Sequence, residues 1–89
     1  MAAIKYAEEF FANAASITSA KLQGDLKRTL LAITDFPEIG STNVPSSIQA
    51  IYGCNVRKMV IGPFDLIYEW TKAEEQITVH GLIHVRAAR

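Results

Sequence analysis

The chain has 89 residues, of which 49% are hydrophobic and 20% are charged. These values predict one small globular domain over residues 1–89, because a disordered chain is less apolar and a chain this short has no room for a second core. Nine Lys and Arg balance nine Asp and Glu. This balance excludes the broad positive field that is typical of nucleic-acid-binding proteins.

Cysteine and charge placement indicate the cellular setting. Cys54 is the one cysteine, so it cannot close an intrachain disulfide, and no ligand pattern around it predicts a metal site or another cofactor. Lys5, Glu8 and Glu9 interrupt the apolar stretch at the N-terminus, and no apolar run has the length of a membrane span. We therefore expect a soluble cytoplasmic protein.

The first half of the chain predicts a short strand followed by two helices. Residues 3–6 have an extended pattern, and the apolar side chains after them recur at the spacing of two amphipathic helices. The two stripes consist of Ala7, Phe10, Phe11, Ala14 and Ile17, and then of Leu22, Leu26, Thr29, Leu30 and Ile33. Thr18 or Ser19 supplies the oxygen that caps the second helix. Gly24 within that helix either costs about 1 kcal/mol relative to Ala or allows the first helix to approach closely.

Proline and glycine mark the middle of the chain. Pro37 pushes the preceding residue out of helical space and Gly40 tolerates a left-handed turn, so the second helix ends here. Pro45 with the two serines that follow it opens a short helix that runs through about Ile51.

From residue 56 onward, the hydrophobic pattern changes to period two. It predicts an antiparallel meander of strands 56–61, 64–71 and 76–85. A four-residue loop, 72–75, sets the register, whose predicted pairs are Thr71–Gln76, Glu69–Thr78, Ile67–His80 and Asp65–Leu82. This register gives the sheet an apolar face for the helix hairpin to cover. The opposite face then carries Asp65, Glu69, His80 and His84.

The register of Arg57 has two solutions. A two-residue turn at Gly62 and Pro63 places Arg57 on the apolar face opposite Tyr68, whereas one bulged residue places it opposite Glu69. We favour the bulge, because an unpaired guanidinium that faces the helices would lose several kcal/mol of solvation. Beside Glu69, the arginine would have a structural ion-pair partner.

The order of four segments resembles the RelE/ParE family of bacterial toxins. These segments are Phe36-Pro37-Glu38-Ile39-Gly40, Arg57-Lys58-Met59-Val60, Gly62-Pro63-Phe64-Asp65-Leu66-Ile67-Tyr68 and His84-Val85-Arg86. The resemblance spans essentially the whole chain and implies an α+β fold, with a short N-terminal strand and a helix hairpin packed on a small twisted antiparallel sheet. It also implies the toxin half of a type II toxin–antitoxin module, neutralised by a cognate antitoxin.

The family contains two activities, and the resemblance leaves the choice between them open. RelE-like members cut messenger RNA in the ribosomal A site, and ParE-like members inhibit DNA gyrase. The implied partners are therefore an antitoxin together with either the ribosome and its mRNA or gyrase. The exposed sheet edges and the helix hairpin also offer surfaces for a homodimer.

RNA cleavage of this type needs a base, an acid and cations that stabilise the charged phosphorane. The resemblance places Arg57 and Arg86 where RNA-cutting members carry phosphate-holding arginines, and it makes His84 the general acid or base. Lys58, His80 and Arg89 are the expected substrate-binding residues.

Other features count against a nuclease. The resemblance places Asp65 at a position where certain ribosome-dependent members have an arginine. A carboxylate at this position would repel phosphate. The segment 46–52 has no lysine, and no tyrosine follows His84. The alternative function is therefore a catalytically inactive relative that acts only as an antitoxin-binding module. An unrelated small α+β domain with a convergent order of elements is a third interpretation.

Overall fold

The computed structural model describes residues 3–85. Its elements are β1 (Ala3–Tyr6), α1 (Glu8–Ala15), α2 (Ala20–Asp35), α3 (Ser46–Tyr52), β2 (Val56–Ile61), β3 (Phe64–Thr71) and β4 (Gln76–His84). The four strands form one sheet in the order β1-β4-β3-β2. The last three strands form the predicted antiparallel meander, while β1 runs parallel to β4, so the α+β fold has a mixed sheet. None of the described helices is both long enough and apolar enough to cross a bilayer.

The helix hairpin forms as the sequence predicts. Ser19 is the N-cap of α2, and its hydroxyl oxygen accepts a hydrogen bond from the amide of Leu22 at 3.3 Å. The helix ends at Asp35, and Phe36 is its C-cap immediately before Pro37. Gly24 does not serve a close approach of α1, since a Cβ there would meet only the Arg28 side chain at 3.6 Å.

The main core lies between this hairpin and one face of the sheet. Its buried members are Phe10, Ile17, Leu26, Ile33, Ile61, Leu66, Tyr68, Ile77, Val79 and Leu82. We call this face of the sheet the hairpin face. Burial of ten such side chains is the main stabilising contribution, at roughly 1.5–3 kcal/mol for each fully buried aliphatic residue.

The opposite face of the sheet is not the polar surface that the sequence predicts. It carries a second, smaller core of Val44, Ile48, Val56 and Ile67, to which α3 contributes Ile48. We call it the α3 face. The central strand β3 is consequently buried on both faces, as Leu66 and Ile67 show with exposures of 0% and 1%.

Helix α1 also closes part of a sheet edge. Strand β1 pairs only with the first half of β4, from Gln76 to Val79. Beyond that point the side-chain oxygen of Asn13 accepts the amide hydrogen of Leu82 at 3.2 Å, in place of a strand partner. Gly81 leaves room for this hydrogen bond, because a Cβ at position 81 would lie 2.9 Å from the Asn13 side-chain oxygen. Asn13 thus satisfies a backbone donor that would otherwise lack a partner in the ladder.

The turn between β2 and β3 contradicts the expected bulge. Ile61 pairs with Phe64, so the turn has only Gly62 and Pro63, and Arg57 lies opposite Tyr68. Gly62 adopts a positive φ of 57°, which a glycine accepts without strain. The preference for Arg57 beside Glu69 is therefore wrong.

The irregularity lies instead in β4. Thr71–Gln76 and Glu69–Thr78 pair as predicted, but the register shifts between Ile67 and Tyr68. The true partners are Ile67–Gly81 and Asp65–Ile83, so the expected Ile67–His80 and Asp65–Leu82 pairs are wrong. His80 is the additional residue, and every residue after it changes face relative to the expectation.

The cap of α2 gives a direct test of local structure. Ser19→Ala should lower the free energy of unfolding by about 1 kcal/mol, because the Leu22 amide loses its acceptor. Thr18→Ala is the matched control and should change stability by less than about 0.5 kcal/mol. Urea unfolding of both variants measures the difference, and an equal loss in the two would contradict the assignment of the cap to Ser19.

Candidate functional site

The segment 36–40, which carries part of the resemblance, is fixed to the sheet by Tyr68. The Tyr68 hydroxyl donates a hydrogen bond to the carbonyl of Pro37 and accepts one from the amide of Gly40, both at 2.8 Å. Burial raises the pKa of Tyr68, while the Gly40 amide and the charge of Arg57 act in the opposite direction. At neutral pH this phenol is therefore a protonated donor that holds the loop.

Arg57 binds the same loop. Its Nη1 donates to the carbonyl oxygens of Glu38 and Gly40, each at 3.0 Å. These two acceptors explain how a guanidinium is tolerated on the hairpin face, since charge-assisted bonds to carbonyls offset the loss of water. Glu69 is not its partner. Arg57 therefore has a structural role in holding the loop. If it also bound a phosphate, the same guanidinium would have to make both contacts.

His84 lies far from Arg57. It is opposite Phe64, and the two rings meet edge to face with centroids 5.5 Å apart. Arg57 is opposite Tyr68, so the two cross-strand positions are separated by about 13 Å along β3, with Arg57 and His84 on different neighbouring strands. The structure therefore does not bring Arg57 and His84 to one phosphate.

Two other expected residues, Lys58 and His80, lie on the α3 face. Lys58 is opposite Ile67 and half-buried, and its backbone pairs with Ser41. His80 Nε2 is 3.3 Å from Glu69 Oε1. The bulge that creates this contact also separates His80 from His84, which the sequence placed on one face.

Tyr52 and Glu9 complete a cluster around His80. The Tyr52 ring stacks on the imidazole with centroids 5.0 Å apart, and its hydroxyl donates to Glu9 Oε1 at 3.1 Å. Burial, followed by the bond to Glu9 and the charge of Glu9, raises the pKa of Tyr52. Sequence reasoning missed both residues, because the link between α1 and α3 joins positions far apart in the chain and no local pattern signals it.

Asp65 is a buried acidic residue on the α3 face. It is 5% exposed, it lies between Val60 and Ile83 in the ladder, and none of the ion pairs within residues 3–85 includes it. That Asp65 opposes phosphate binding stays a prediction.

The expected site residues are thus divided. Arg57 and His84 are on the hairpin face, Lys58 and His80 are on the α3 face, and Arg86 and Arg89 lie outside the described residues. Within residues 3–85, no three His, Cys, Asp or Glu side chains come together in a way that could hold a metal ion. The catalytic role of Arg57, His84 and Arg86 stays a prediction.

The fold has close counterparts among solved structures. A chain in the crystal structure of the intact E. coli RelBE toxin–antitoxin complex has a TM-score of 0.70 and is 12% identical, with 94% of this chain and 96% of that chain covered. The isolated E. coli RelE toxin has a TM-score of 0.71 at 12% identity, with coverage of 94% and 84%. No protein-family model and no curated protein matches the sequence.

These similarities define a RelE-like toxin fold. The likeness covers nearly the whole chain, includes the helix hairpin and the sheet, and confirms the fold that the sequence resemblance implied. At 12% identity it identifies the architecture, while activity depends on the side chains that the architecture carries.

The loop contact gives a second test. Gly40→Ala would place a Cβ 2.5 Å from the Tyr68 hydroxyl oxygen and 2.7 Å from its ring, so we expect a loss of about 1–3 kcal/mol of stability. Gly24→Ala is the control and should raise stability by about 0.5–1 kcal/mol, because α2 has room for a methyl group there. Denaturant unfolding that shows equal effects of the two substitutions would contradict this account.

The two tyrosines also predict an alkaline limit. Tyr52 and Tyr68 keep their protons to higher pH in the folded chain than in the unfolded chain, where tyrosine titrates near pH ~10. Below that pH the two protonated tyrosines make their full contribution to the free energy of unfolding. This free energy then falls as pH rises through the folded-state pKa values. Tyr52→Phe should make this fall less steep in urea unfolding measured from pH ~9 to ~11.5. A slope identical to that of the parent chain would contradict the assignment.

Proposed function

We propose that this chain is the toxin of a bacterial type II toxin–antitoxin module, active in the cytoplasm and neutralised by a cognate antitoxin. The observation that carries the proposal is the full-length likeness to E. coli RelE, both isolated and in the RelBE toxin–antitoxin complex. The sequence resemblance, which rests on the segments around Pro37, Arg57, Phe64 and His84, points to the same class of protein independently of the backbone comparison.

We further propose that the target is DNA gyrase, as in ParE-like members. Three observations favour a mechanism without phosphate cleavage. Arg57 is engaged by two loop carbonyls, His84 is distant from it, and Asp65 is buried on the α3 face. A net charge of zero also gives no long-range attraction to ribosomal RNA. Inhibition of a protein target does not require any of these side chains to contact RNA.

Ribosome-dependent RNA cleavage is the second candidate, and the His80 cluster favours it. An imidazole oriented by the Glu69 carboxylate can act as a general base or acid. In this mechanism His80 would exchange a proton with the 2′-hydroxyl, and Lys58, Arg86 and Arg89 would bind the phosphates. Loss of His80 would then reduce cleavage by about 10²-fold or more.

The test is induced expression of the chain alone in a bacterial host, with growth followed and DNA and protein synthesis pulse-labelled separately. We expect DNA synthesis to stop first, with a damage response and cleaved DNA in complexes with gyrase. If translation is lost first, and if His80→Ala and Arg86→Ala each prevent that loss, the target is the ribosome and not gyrase. Normal growth with folded protein present would contradict the toxin proposal and support an inactive, antitoxin-binding relative.

A further inference from the structure

One depression on the surface is lined by residues to which the proposed toxin function assigns no role. It has a volume of about 520 Å³ and lies beside the C-terminal end of α2 and the loop that follows. Its lining consists of Asp35, Phe36, Pro37, Glu38, Ile39 and Trp70. We call it the Trp70 groove.

The walls of the Trp70 groove expose large apolar side chains. Phe36 is 68% exposed and Ile39 is 51% exposed, although both lie within a few residues of the buried core. Two adjacent apolar side chains in water favour an interaction partner, whereas a single exposed apolar residue would need no explanation. Trp70 extends the apolar surface from the sheet.

The backbone of this loop is held in place before any partner arrives. Tyr68 makes two hydrogen bonds to it and Arg57 makes two more. The loop therefore cannot fold Phe36 and Ile39 into the core without breaking these four bonds. Binding to a rigid loop has a smaller ordering cost than binding to a flexible one.

The rim of the groove is acidic. Asp35 and Glu38 both line it, and no Lys or Arg between residues 3 and 85 does. The ion pairs within residues 3–85 are Arg28 with Asp25 and His80 with Glu69, so Asp35 and Glu38 have no ion-pair partner there. Arg57, the cation at the loop, binds the backbone carbonyl of Glu38 and leaves the rim with a net negative charge. This charge disfavours nucleic acid and anionic lipid surfaces as occupants.

Trp70 adds an unmatched donor beside the groove. Its Nε1 is buried and has no hydrogen-bond partner within the described part of the chain. A buried N–H without an acceptor is unfavourable by about 1–3 kcal/mol, and buried indoles generally have a partner.

We propose that the Trp70 groove docks a segment of a partner polypeptide in which a bulky apolar side chain is flanked by lysine or arginine. The apolar side chain fills the space between Phe36, Ile39 and Trp70, and the flanking cations pair with Asp35 and Glu38. Among the described site residues, Arg57 contacts this loop through the Glu38 and Gly40 carbonyls and none lines the groove, so the inference goes beyond the toxin function and does not require it.

Trp70 makes the test direct, because it is the one tryptophan in the chain and reports on the groove by fluorescence. The probe is a synthetic tryptophan-free peptide that alternates leucine and lysine, titrated into the full chain at low salt. We expect a saturable change in Trp70 emission that weakens as salt is raised. The same peptide with glutamate in place of lysine should cause no saturable change.

Matched variants locate the binding site. Phe36→Asp and the double change Asp35→Asn with Glu38→Gln should each weaken peptide binding about tenfold or more, which corresponds to about 1.4 kcal/mol. Leu31→Asp is the control, since Leu31 is 67% exposed on α2 and does not line the groove. Far-ultraviolet circular dichroism verifies that each variant is folded.

Three results would overturn the proposal. The first is that the glutamate peptide binds as tightly as the lysine peptide, and the second is that Leu31→Asp weakens binding as much as Phe36→Asp does. The third is that sedimentation shows a dimer of the chain that Phe36→Asp converts to monomers, so that a second copy covers the groove. The peptide assay does not measure toxicity, so its outcome is independent of the growth assay. A chain that binds the lysine peptide but does not arrest growth would retain this surface while losing the toxin function.

Discussion

The buried hydroxyl of Tyr68 is the contact on which much of the molecule depends. Its ring fills the main core, and its oxygen joins the central strand to Pro37 and Gly40, which follow the helix hairpin. Gly40 must lack a side chain because the Tyr68 ring occupies that space. Arg57 completes the attachment of the loop through two carbonyls. The exposed Phe36 and the shape of the Trp70 groove follow from this fixed loop.

A single extra residue in β4 decides the chemistry of the two sheet faces. The register shift leaves His80 beside Glu69 and Tyr52 on the α3 face and moves His84 next to Phe64 on the hairpin face. Because side chains alternate along a strand, such a shift reverses the side of everything that follows. His80 and His84, which the sequence placed on one face, consequently lie on opposite faces of the sheet.

The chain thus combines a RelE-like backbone with charges that do not favour RNA. Asp65 is buried on the α3 face, and no described cation lies within ion-pair distance of it. The proposed inhibition of gyrase would not need a cluster of cations, since its target is a protein. The acidic rim of the Trp70 groove, formed by Asp35 and Glu38, points in the same direction, toward basic polypeptides rather than nucleic acid.

The sequence alone determined the elements, because helical periodicity, the cap at Ser19, the break at Pro37 and the period-two strands are local signals. The resemblance carried by four short segments implied the RelE-like architecture, which the solved structures confirm. Only tertiary structure decided the turn before Phe64, the bulge at His80 and the second core beneath α3. Each depends on contacts between distant residues: loop carbonyls made Arg57 acceptable on the hairpin face, and Ile48 covered a face whose alternation looked polar. The positions of the candidate site residues follow from those contacts, which no local pattern encodes.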